Sequence, residues 1–252
     1  MTITSKQMKK LKSLKPILDE PALLVNNFLV IADLHLGIEN EFYAKGVAIP
    51  EQTGKLVKKI EKIVEKNKKI EHLIIVGDLK HLVPGTVFQE KEAIKGFLSE
   101  IKPRFKRIIL TIGNHDVLLP ELDIEIYPST GFRFKDYGFF HGHAYPGEEV
   151  KKAGCWIIGH EHSAIEFRDS FGIRSVEPCW MRIKTKIEEK EKQIIVLPPF
   201  NPLLSIGGGN KDGFLSPVLK NVKSSEVEIF LLDGTYLGDL ELIGSKRDVQ
   251  TA

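Results

Sequence analysis

Residues 28–35, FLVIADLH, decide the fold of this chain: a short, wholly apolar run ends at an acidic residue and a histidine. The run Phe28 to Ala32 has the length and composition of a buried strand. Asp33 and His35 follow at the point where the chain would leave that strand. In open α/β sheets, ligands bind just beyond the carboxyl ends of the strands. The segment therefore predicts a buried strand that delivers two polar side chains to a site.

The same arrangement recurs four times further along the chain. Each further strand is a short apolar run that is followed within a few residues by Asp, Asn or His. These predicted strands are His72 to Val76, Arg107 to Thr111, Gly138 to Phe140 and Cys155 to Ile158. Successive strands with polar ends predict one site built along the edge of a largely parallel sheet.

Helical segments separate the early strands. Pro50 can open a helix, and after it five apolar residues fall on one face at helical spacing. They are Leu56, Val57, Ile60, Ile63 and Val64. A second helix is predicted from Gln89 to Ile101, because the residue before Pro103 disfavours helix. Strands that alternate with helices are typical of βαβ units.

The chain becomes β-rich after His162. The predicted strands there are Ala164 to Phe171, Ile173 to Val176, Cys179 to Ile187, Gln193 to Leu197, Glu226 to Leu232 and Thr235 to Ile243. Asp233-Gly234 predicts a type I′ hairpin between the last two, and Gly207 to Ser225 is predicted to be a surface loop. We therefore expect an α/β fold of two packed mixed β-sheets flanked by helices. One domain is predicted for 1–252, with an α/β half at 1–162 that carries the site and a β-rich half at 163–252 that completes the second sheet.

Composition is that of an ordinary soluble protein, since 42% of the 252 residues are hydrophobic and 28% are charged. No apolar run approaches the roughly 18 residues that cross a bilayer, and Met1 to Pro16 lacks the apolar core of a signal peptide. A cytoplasmic location without membrane partners is therefore expected. Cys155 and Cys179 provide no disulfide framework and are expected to be buried thiols. The net charge of +2 argues neither for nor against nucleic-acid binding.

Seven residues at the ends of the five strands are candidate metal ligands. They are Asp33, His35, Asp78, Asn114, His141, His160 and His162. A single histidine after a strand is more often structural, but a set at five consecutive strand ends is hard to obtain by chance. Carboxylate, amide and imidazole together suit two borderline divalent ions better than Ca²⁺, which prefers an all-oxygen shell. Gly77, Gly113 and Gly159 precede three of the candidates, as expected where the backbone turns sharply beside a ligand.

The ordered elements Asp-x-His, Gly-Asp, Gly-Asn-His-Asp, His-Gly-His and Gly-His-x-His over residues 33–162 resemble the signature of the calcineurin-like metallophosphoesterase superfamily. The resemblance implies a four-layer α/β/β/α sandwich with a dinuclear metal centre. Mn²⁺ is the first expectation for both ions, with Fe²⁺, Zn²⁺ or Ni²⁺ as alternatives. The implied ligands are Asp33, His35 and His162 for one ion, Asn114, His141 and His160 for the other, and Asp78 as the bridge.

The resemblance also implies a mechanism. A hydroxide shared by the two ions attacks the phosphorus, and His115 serves as general acid or transition-state stabiliser. Asp116 is expected to orient the imidazole of His115 and raise its basicity. The run Gly-Asp-Leu-Lys-His at 77–81 resembles an element of SbcD-type repair nucleases, which implies that His81 contacts the phosphate; packing within a loop is the alternative. His143 is expected to support a ligand, to face the phosphate or to be merely structural. Lys80 is expected either to contact a phosphate or to be a surface lysine.

The start Asp33 to Gly37 and the tail Leu197 to Leu203 resemble the archaeal phosphoesterases grouped with the bacterial ligase-associated enzyme PdeM. The purely structural alternative for the segment Leu197 to Leu203 is an edge strand ended by two prolines. This branch implies hydrolysis of phosphodiester bonds in nucleic acid or nucleotide, in connection with DNA repair, and includes single-strand endonuclease activity among the implied functions. A helicase or ligase of the same pathway is the implied partner. The alternatives are a phosphomonoesterase or cyclic-nucleotide phosphodiesterase, and a metal-binding scaffold without catalysis. The sequence does not predict the oligomeric state.

Overall fold

A computed structural model describes residues 14–83, 88–168, 171–207 and 213–246. The first of its two sheets has the strand order β1-β2-β3-β4-β5-β6, in which β1 to β3 are antiparallel and β3 to β6 are parallel. Its strands are β1 Leu14–Pro16, β2 Leu23–Val25, β3 Phe28–Ile31, β4 His72–Val76, β5 Arg107–Thr111 and β6 Glu125–Tyr127.

The second sheet is also mixed. Its order is β14-β13-β11-β12-β9-β8-β7, with β10 paired to β11, and only the β12–β9 and β9–β8 pairs are parallel. Its strands are β7 Phe132–Phe134, β8 Tyr137–Phe139, β9 Cys155–Ile158, β10 Ala164–Arg168, β11 Arg174–Ile187, β12 Lys190–Val196, β13 Val227–Leu231 and β14 Tyr236–Asp239.

Alternation along the strands explains why the sheets form layers. In β3, Phe28 and Val30 pack between the two sheets, whereas Leu29 and Ile31 face the helices on the outside. Successive side chains of a strand point to opposite faces, so a wholly apolar strand must be covered on both sides. The helices are α1 Ile38–Ala44, α2 Thr53–Lys66, α3 Phe88–Ile101, α4 Glu148–Lys151 and α5 Leu240–Lys246, and 3₁₀ turns cover Lys102–Arg104, Pro202–Gly207 and Ser224–Glu226.

The predicted fold is therefore confirmed: two mixed sheets pack face to face and are flanked by helices. Helix α2 buries the predicted apolar stripe, although Val64 is only partly buried. Cys155 and Cys179 are buried thiols, as expected. No helix within the described ranges is both long enough and apolar enough to cross a membrane.

Three predicted strands in the second half of the chain differ from the structure. The predicted strands Ile173 to Val176 and Cys179 to Ile187 are the single strand β11. It passes through Pro178 where the strand is paired only with β10, so the missing amide hydrogen removes no bond to a second neighbour. The predicted strand Thr235 to Ile243 stops at Asp239, because the Asp239 carboxylate accepts the main-chain N–H of Leu242 at 2.8 Å and starts α5.

Two loop predictions also differ from the structure. Of Asp233 and Gly234, only Gly234 has a positive φ, so the β13–β14 connection is not the type I′ turn, which requires both. The segment Gly207 to Ser225 is not a pure surface loop, since Ser216 and Leu219 are fully buried against the second sheet. Residues 208–212 of that prediction lie outside the described residues.

Candidate metal centre

The loops after β3, β4, β5, β8 and β9 meet at one edge of the molecule. The main-chain N–H of His35 donates to the main-chain oxygen of Asp78 at 2.9 Å, which joins the first two loops. The N–H of His160 donates to the Asp33 carboxylate at 3.3 Å, which joins the two sheets. The seven predicted ligands, which are separated by up to 129 positions in the sequence, therefore come together at one place.

The side chains form two groups that share one residue. In each group the ligand atoms lie within 4.8 Å of one another, and the groups are Asp33, His35, Asp78 and His162, and Asp78, His141 and His160. The Asn114 amide oxygen lies 3.1 Å from Nε2 of His141, which adds Asn114 to the second group. This arrangement supports the expected division of the ligands between two ions.

Asp78 lies between the two groups. Its Oδ2 atom is 3.3 Å from Nε2 of His35 and 3.2 Å from Nε2 of His141. Its Oδ1 atom accepts the main-chain N–H of His115 at 2.9 Å, and this bond fixes the rotation of the carboxylate. One oxygen is thereby held facing imidazoles of both groups, which is the position that a bridging carboxylate needs.

Backbone strain is concentrated in the ligand loops. Five of the predicted ligands have φ between 44° and 70°, a region that costs a residue other than glycine about 1–3 kcal/mol. These five are Asp33, His35, Asp78, His160 and His162. The surrounding packing holds the loops in a conformation that the residues would not adopt alone, so stability is given up for the geometry of the site.

The glycines before the ligands allow the loops to approach one another. A Cβ atom on Gly113 would lie 2.1 Å from Oδ1 of Asp78, and one on Gly77 would lie 2.2 Å from Nδ1 of His141. Contacts under 3.0 Å do not occur for real Cβ atoms, so any side chain at either position would displace a predicted ligand. The expected close approach of backbone and ligand is observed.

We expect Gly113→Ala to destabilise the protein by at least about 3 kcal/mol, the upper end of the usual cost of overpacking, because the new methyl group displaces the buried Asp78. Urea unfolding of the metal-free protein measures the loss. Gly96→Ala in α3 is the matched control: its Cβ would meet nothing within 4 Å, and alanine there should stabilise the helix by about 0.5–1 kcal/mol. Equal stability of the two variants would contradict the close packing at Gly113.

The electrostatics of the centre favour a bound cation. Burial lowers the pKa of His35 and of His160 to about 4 and that of His162 to about 3, so these imidazoles are neutral at pH 7 and keep a lone pair. Burial disfavours a charge on His141, but the Asp78 carboxylate outweighs it and raises the pKa of His141 to about 9. In return, His141 and His35 hold the pKa of Asp78 well below its usual range despite its burial.

Ring nitrogens of two predicted ligands are unsatisfied. Nε2 of His35 and Nε2 of His162 are buried and make no hydrogen bond to any residue that the structure describes. Buried polar groups are normally satisfied, so unpaired nitrogens beside two carboxylates indicate a missing positive partner. Neutral imidazoles and carboxylates are also the ligand types that Mn²⁺, Fe²⁺ and Zn²⁺ accept. The residues therefore fit the divalent ions that the sequence predicts.

The position of Asp116 differs from the expectation. Its two oxygens accept the main-chain N–H groups of Asp78 at 2.9 Å, Leu79 at 2.9 Å, Lys80 at 3.2 Å and Gly113 at 2.8 Å. Asp116 thus ties the loop after β4 to the loop after β5. The hydrogen-bond partner of Nδ1 of His115 is the main-chain oxygen of His81. We therefore assign the orientation of the His115 imidazole to this carbonyl and not to Asp116.

The other candidate side chains also lie beside the centre. His81 and His115 stack with ring centroids 5.6 Å apart, and each has a nitrogen within 4.8 Å of one on His35. The half-buried ring of His143 lies 5.3 Å from that of His141. Lys80 is buried, and its ammonium donates to the main-chain oxygen of Leu82, so the alternative of a surface lysine is wrong.

Asn201 supports the centre in a way that the sequence did not indicate. The chain leaves β12 and runs beside the loop after β3. There the main-chain N–H of Phe200 donates to the main-chain oxygen of Ala32 at 2.9 Å, and the main-chain N–H of Asn201 donates to the main-chain oxygen of Asp33 at 3.3 Å. The buried amide of Asn201 also donates to the oxygen of Leu34 at 2.8 Å. The tail after β12 is therefore more than an edge strand ended by prolines, because it clamps the Asp-x-His loop.

Glu161 fastens another segment to the centre. It is buried and accepts the main-chain N–H groups of Leu215 at 3.1 Å and Ser216 at 2.7 Å, and the Ser216 hydroxyl donates to the oxygen of Gly142. This explains the burial of a segment that the sequence predicted to be a loop. Glu161 therefore holds the segment around Ser216 beside the centre by accepting its main-chain N–H groups.

Comparison with known proteins gives one matching family and a set of similar solved structures, two of which are compared with this chain. The model of the calcineurin-like phosphoesterase family matches residues 27–223. The crystal structure of the nuclease MPE from Pseudomonas putida superposes with a TM-score of 0.55 at 20% identity, covering 87% of this chain and 95% of that chain. YfcE, a phosphoesterase from E. coli, superposes with a TM-score of 0.41 at 15% identity, covering 84% and 97%. Among curated proteins no match was found. Because the family model spans most of its residues, this chain belongs to the calcineurin-like phosphoesterase family.

Proposed function

We propose that this protein is a two-metal phosphodiesterase that acts on nucleic acid or nucleotide. The observation that carries the proposal is the position of Asp78, whose Oδ2 atom faces His35 at 3.3 Å and His141 at 3.2 Å. A carboxylate oxygen held between imidazoles of two neighbouring groups is the arrangement that two neighbouring divalent ions require. Mn²⁺ is the ion that we expect first.

The two ions would supply Lewis acidity, which lowers the pKa of bound water and neutralises the phosphoryl oxygens. The residues that would hold them are Asp33, His35 and His162 for one, Asn114, His141 and His160 for the other, and Asp78 for both. The hydrogen bond from the His115 main chain to Oδ1 of Asp78 keeps the other carboxylate oxygen facing His35 and His141, where it would serve as a ligand.

His115 is proposed as the general acid. Its Nδ1 hydrogen is donated to the main-chain oxygen of His81. Nε2 is therefore the nitrogen left to exchange a proton, and in the protonated imidazole it would give that proton to the leaving oxygen of the phosphoester. The carbonyl fixes the ring without charge, so the imidazole can change its protonation state with little movement.

Exposed apolar side chains favour nucleic acid as the substrate class. The loops of the centre carry them within two residues of His81, Asp116 and His143. These side chains are Val83, Val117, Leu118 and Tyr145, which are 50%, 47%, 71% and 66% exposed. Proteins that bind single strands stack bases on exposed aromatic side chains, and Tyr145 is the aromatic one of this set. From the resemblance of the motifs we also propose a role in DNA repair, and the buried thiols of Cys155 and Cys179 suit the cytoplasm.

Comparing two chromogenic esters in the presence of Mn²⁺ tests the reaction class. Bis(p-nitrophenyl) phosphate should be hydrolysed with a higher kcat/KM than p-nitrophenyl phosphate. A strong monoester preference would favour a phosphomonoesterase. Failure on both esters and on all nucleotides and polymers would favour the non-catalytic scaffold.

A matched pair of tyrosine variants tests the substrate class. Tyr145→Ala should raise the KM for single-stranded DNA by roughly 5- to 100-fold, the worth of one stacked base, and leave bis(p-nitrophenyl) phosphate unaffected. Tyr236→Ala, at an exposed position on β14, is the control and should change neither. Equal KM values for DNA in the two variants would remove Tyr145 as evidence for a polymeric substrate.

A further inference from the structure

A chain of hydrogen-bonding side chains leads outward from the metal centre through His81. Nδ1 of His81 lies 3.0 Å from Nδ1 of His35, and Nε2 of His81 pairs with the carboxylate of Glu41. Glu41 lies in α1 and is partly exposed, so the contacts connect a buried candidate ligand to the surface. Lys45 and His81 hold the pKa of Glu41 below its usual range, so Glu41 is an anion at pH 7.

Only one arrangement of hydrogens fits these contacts if His35 is a metal ligand. Nε2 of His35 is the nitrogen on the side of Asp78, so it would be the ligand atom. A ligand atom must keep its lone pair, and Nδ1 must therefore carry the hydrogen. That hydrogen is donated to Nδ1 of His81, which accepts it. The hydrogen of His81 then lies on Nε2, where the Glu41 carboxylate accepts it.

The main chain of His81 is fixed as well as its ring. The buried Glu90 carboxylate accepts the N–H groups of His81 at 2.9 Å and Leu82 at 2.7 Å. The loop after β4 therefore cannot swing the imidazole away from His35 without breaking charge-assisted hydrogen bonds. Both ring nitrogens of His81 already face protein groups, and neither is directed to an incoming phosphate.

A third ion held by His35, His81 and His115 is the competing interpretation, because these residues also have nitrogens within 4.8 Å of one another. His35 would then ligate through Nδ1 while Nε2 faces the Asp78 group. An imidazole that ligates on both sides must lose its remaining proton, which a neutral histidine does not do readily at pH 7. The hydrogen-bonded chain needs no such step.

We infer that Glu41 and His81 are positioning residues, which fix the tautomer and the ring orientation of His35 for metal binding. This inference rests on the two-metal centre of the proposed function. Partners of this kind orient a ligating histidine and make it a better donor, and their removal typically costs about 10- to 100-fold in metal affinity. It departs from the sequence-based expectation that His81 contacts the phosphate.

Calorimetric titration of the metal-free protein with Mn²⁺ tests the inference. His81→Leu should weaken one of two Mn²⁺ sites by about 10- to 100-fold, and Glu41→Ala should weaken the same site by about 10-fold. His81→Gln keeps one acceptor and one donor, so its affinity should recover to within about threefold of the wild type. The double variant should be no weaker than His81→Leu alone, because Glu41 acts through His81.

Lys45→Ala is the matched control, since Lys45 contacts Oε1 of Glu41 whereas His81 contacts Oε2, so its removal should not alter Mn²⁺ affinity. If His81→Leu does not fold, Glu41→Ala carries the test from its partly exposed position. Unchanged Mn²⁺ affinity in either folded variant overturns the inference, as does additivity of the two substitutions or a third bound ion. A wild-type protein that binds no Mn²⁺ overturns the two-metal function too, whereas two sites that are indifferent to these variants overturn only the inference.

Discussion

Asp78→Asn should abolish turnover of bis(p-nitrophenyl) phosphate, with a fall in kcat of more than about 10³-fold. Loss of a single oxyanion-hole donor costs about 10²–10³-fold, and Asp78 serves both proposed ions. The amide oxygen of the new side chain can still accept the N–H of His115, so its NH₂ group takes the place of Oδ2 between His35 and His141. A donor in that position repels cations.

Metal analysis accompanies the kinetic measurement. Asp78→Asn should bind fewer than two Mn²⁺ ions, and circular dichroism should show that the sheets are retained. Asp123→Asn is the control, because Asp123 is fully exposed in its contact with Lys102. A variant at position 78 that keeps both ions and ordinary turnover would show that Asp78 is not the bridge.

His115→Ala should slow the chemical step by about 10²–10⁴-fold, the usual contribution of a general acid. Alanine keeps the main-chain N–H that holds Asp78, so both metal affinities and the KM should stay close to those of the wild type. The loss should be smaller for bis(p-nitrophenyl) phosphate than for DNA, because p-nitrophenolate leaves without needing a proton.

The control for this prediction is His72→Ala. His72 begins β4 and packs against Phe28 away from the centre. Its substitution therefore removes a histidine without changing the candidate metal centre, and turnover should stay close to that of the wild type. Release of metal from His115→Ala would make His115 a ligand. Undiminished hydrolysis of DNA would end its assignment as the acid.

The sequence predicted the strands that deliver the site because their apolar runs are local signals. Burial on both faces makes β3 wholly apolar and β4 apolar after His72, and the polar residue after each run marks the end of the strand. The prediction failed where a single side chain changes the local outcome. Asp239 caps α5 and thereby ends β14, although the composition of the following residues predicts that the strand continues.

Support for the site could not be predicted in the same way. Asn201 contacts Leu34 across 167 positions, and no local pattern relates an asparagine after two prolines to a loop so distant in the sequence. Asp116 lies beside the centre, but its partners are main-chain N–H groups of the loop after β4, which only the folded chain brings near. Glu41 was missed because a glutamate on a short helix is ordinarily a solvated side chain.

Anomalous X-ray diffraction from crystals soaked in Mn²⁺ tests the two-metal centre most directly. The account predicts two anomalous peaks, roughly 3.5–4 Å apart, with Oδ2 of Asp78 between them. One peak should be bounded by Asp33, His35 and His162, and the other by Asn114, His141 and His160. A single peak, or two peaks that do not share Asp78, would contradict it.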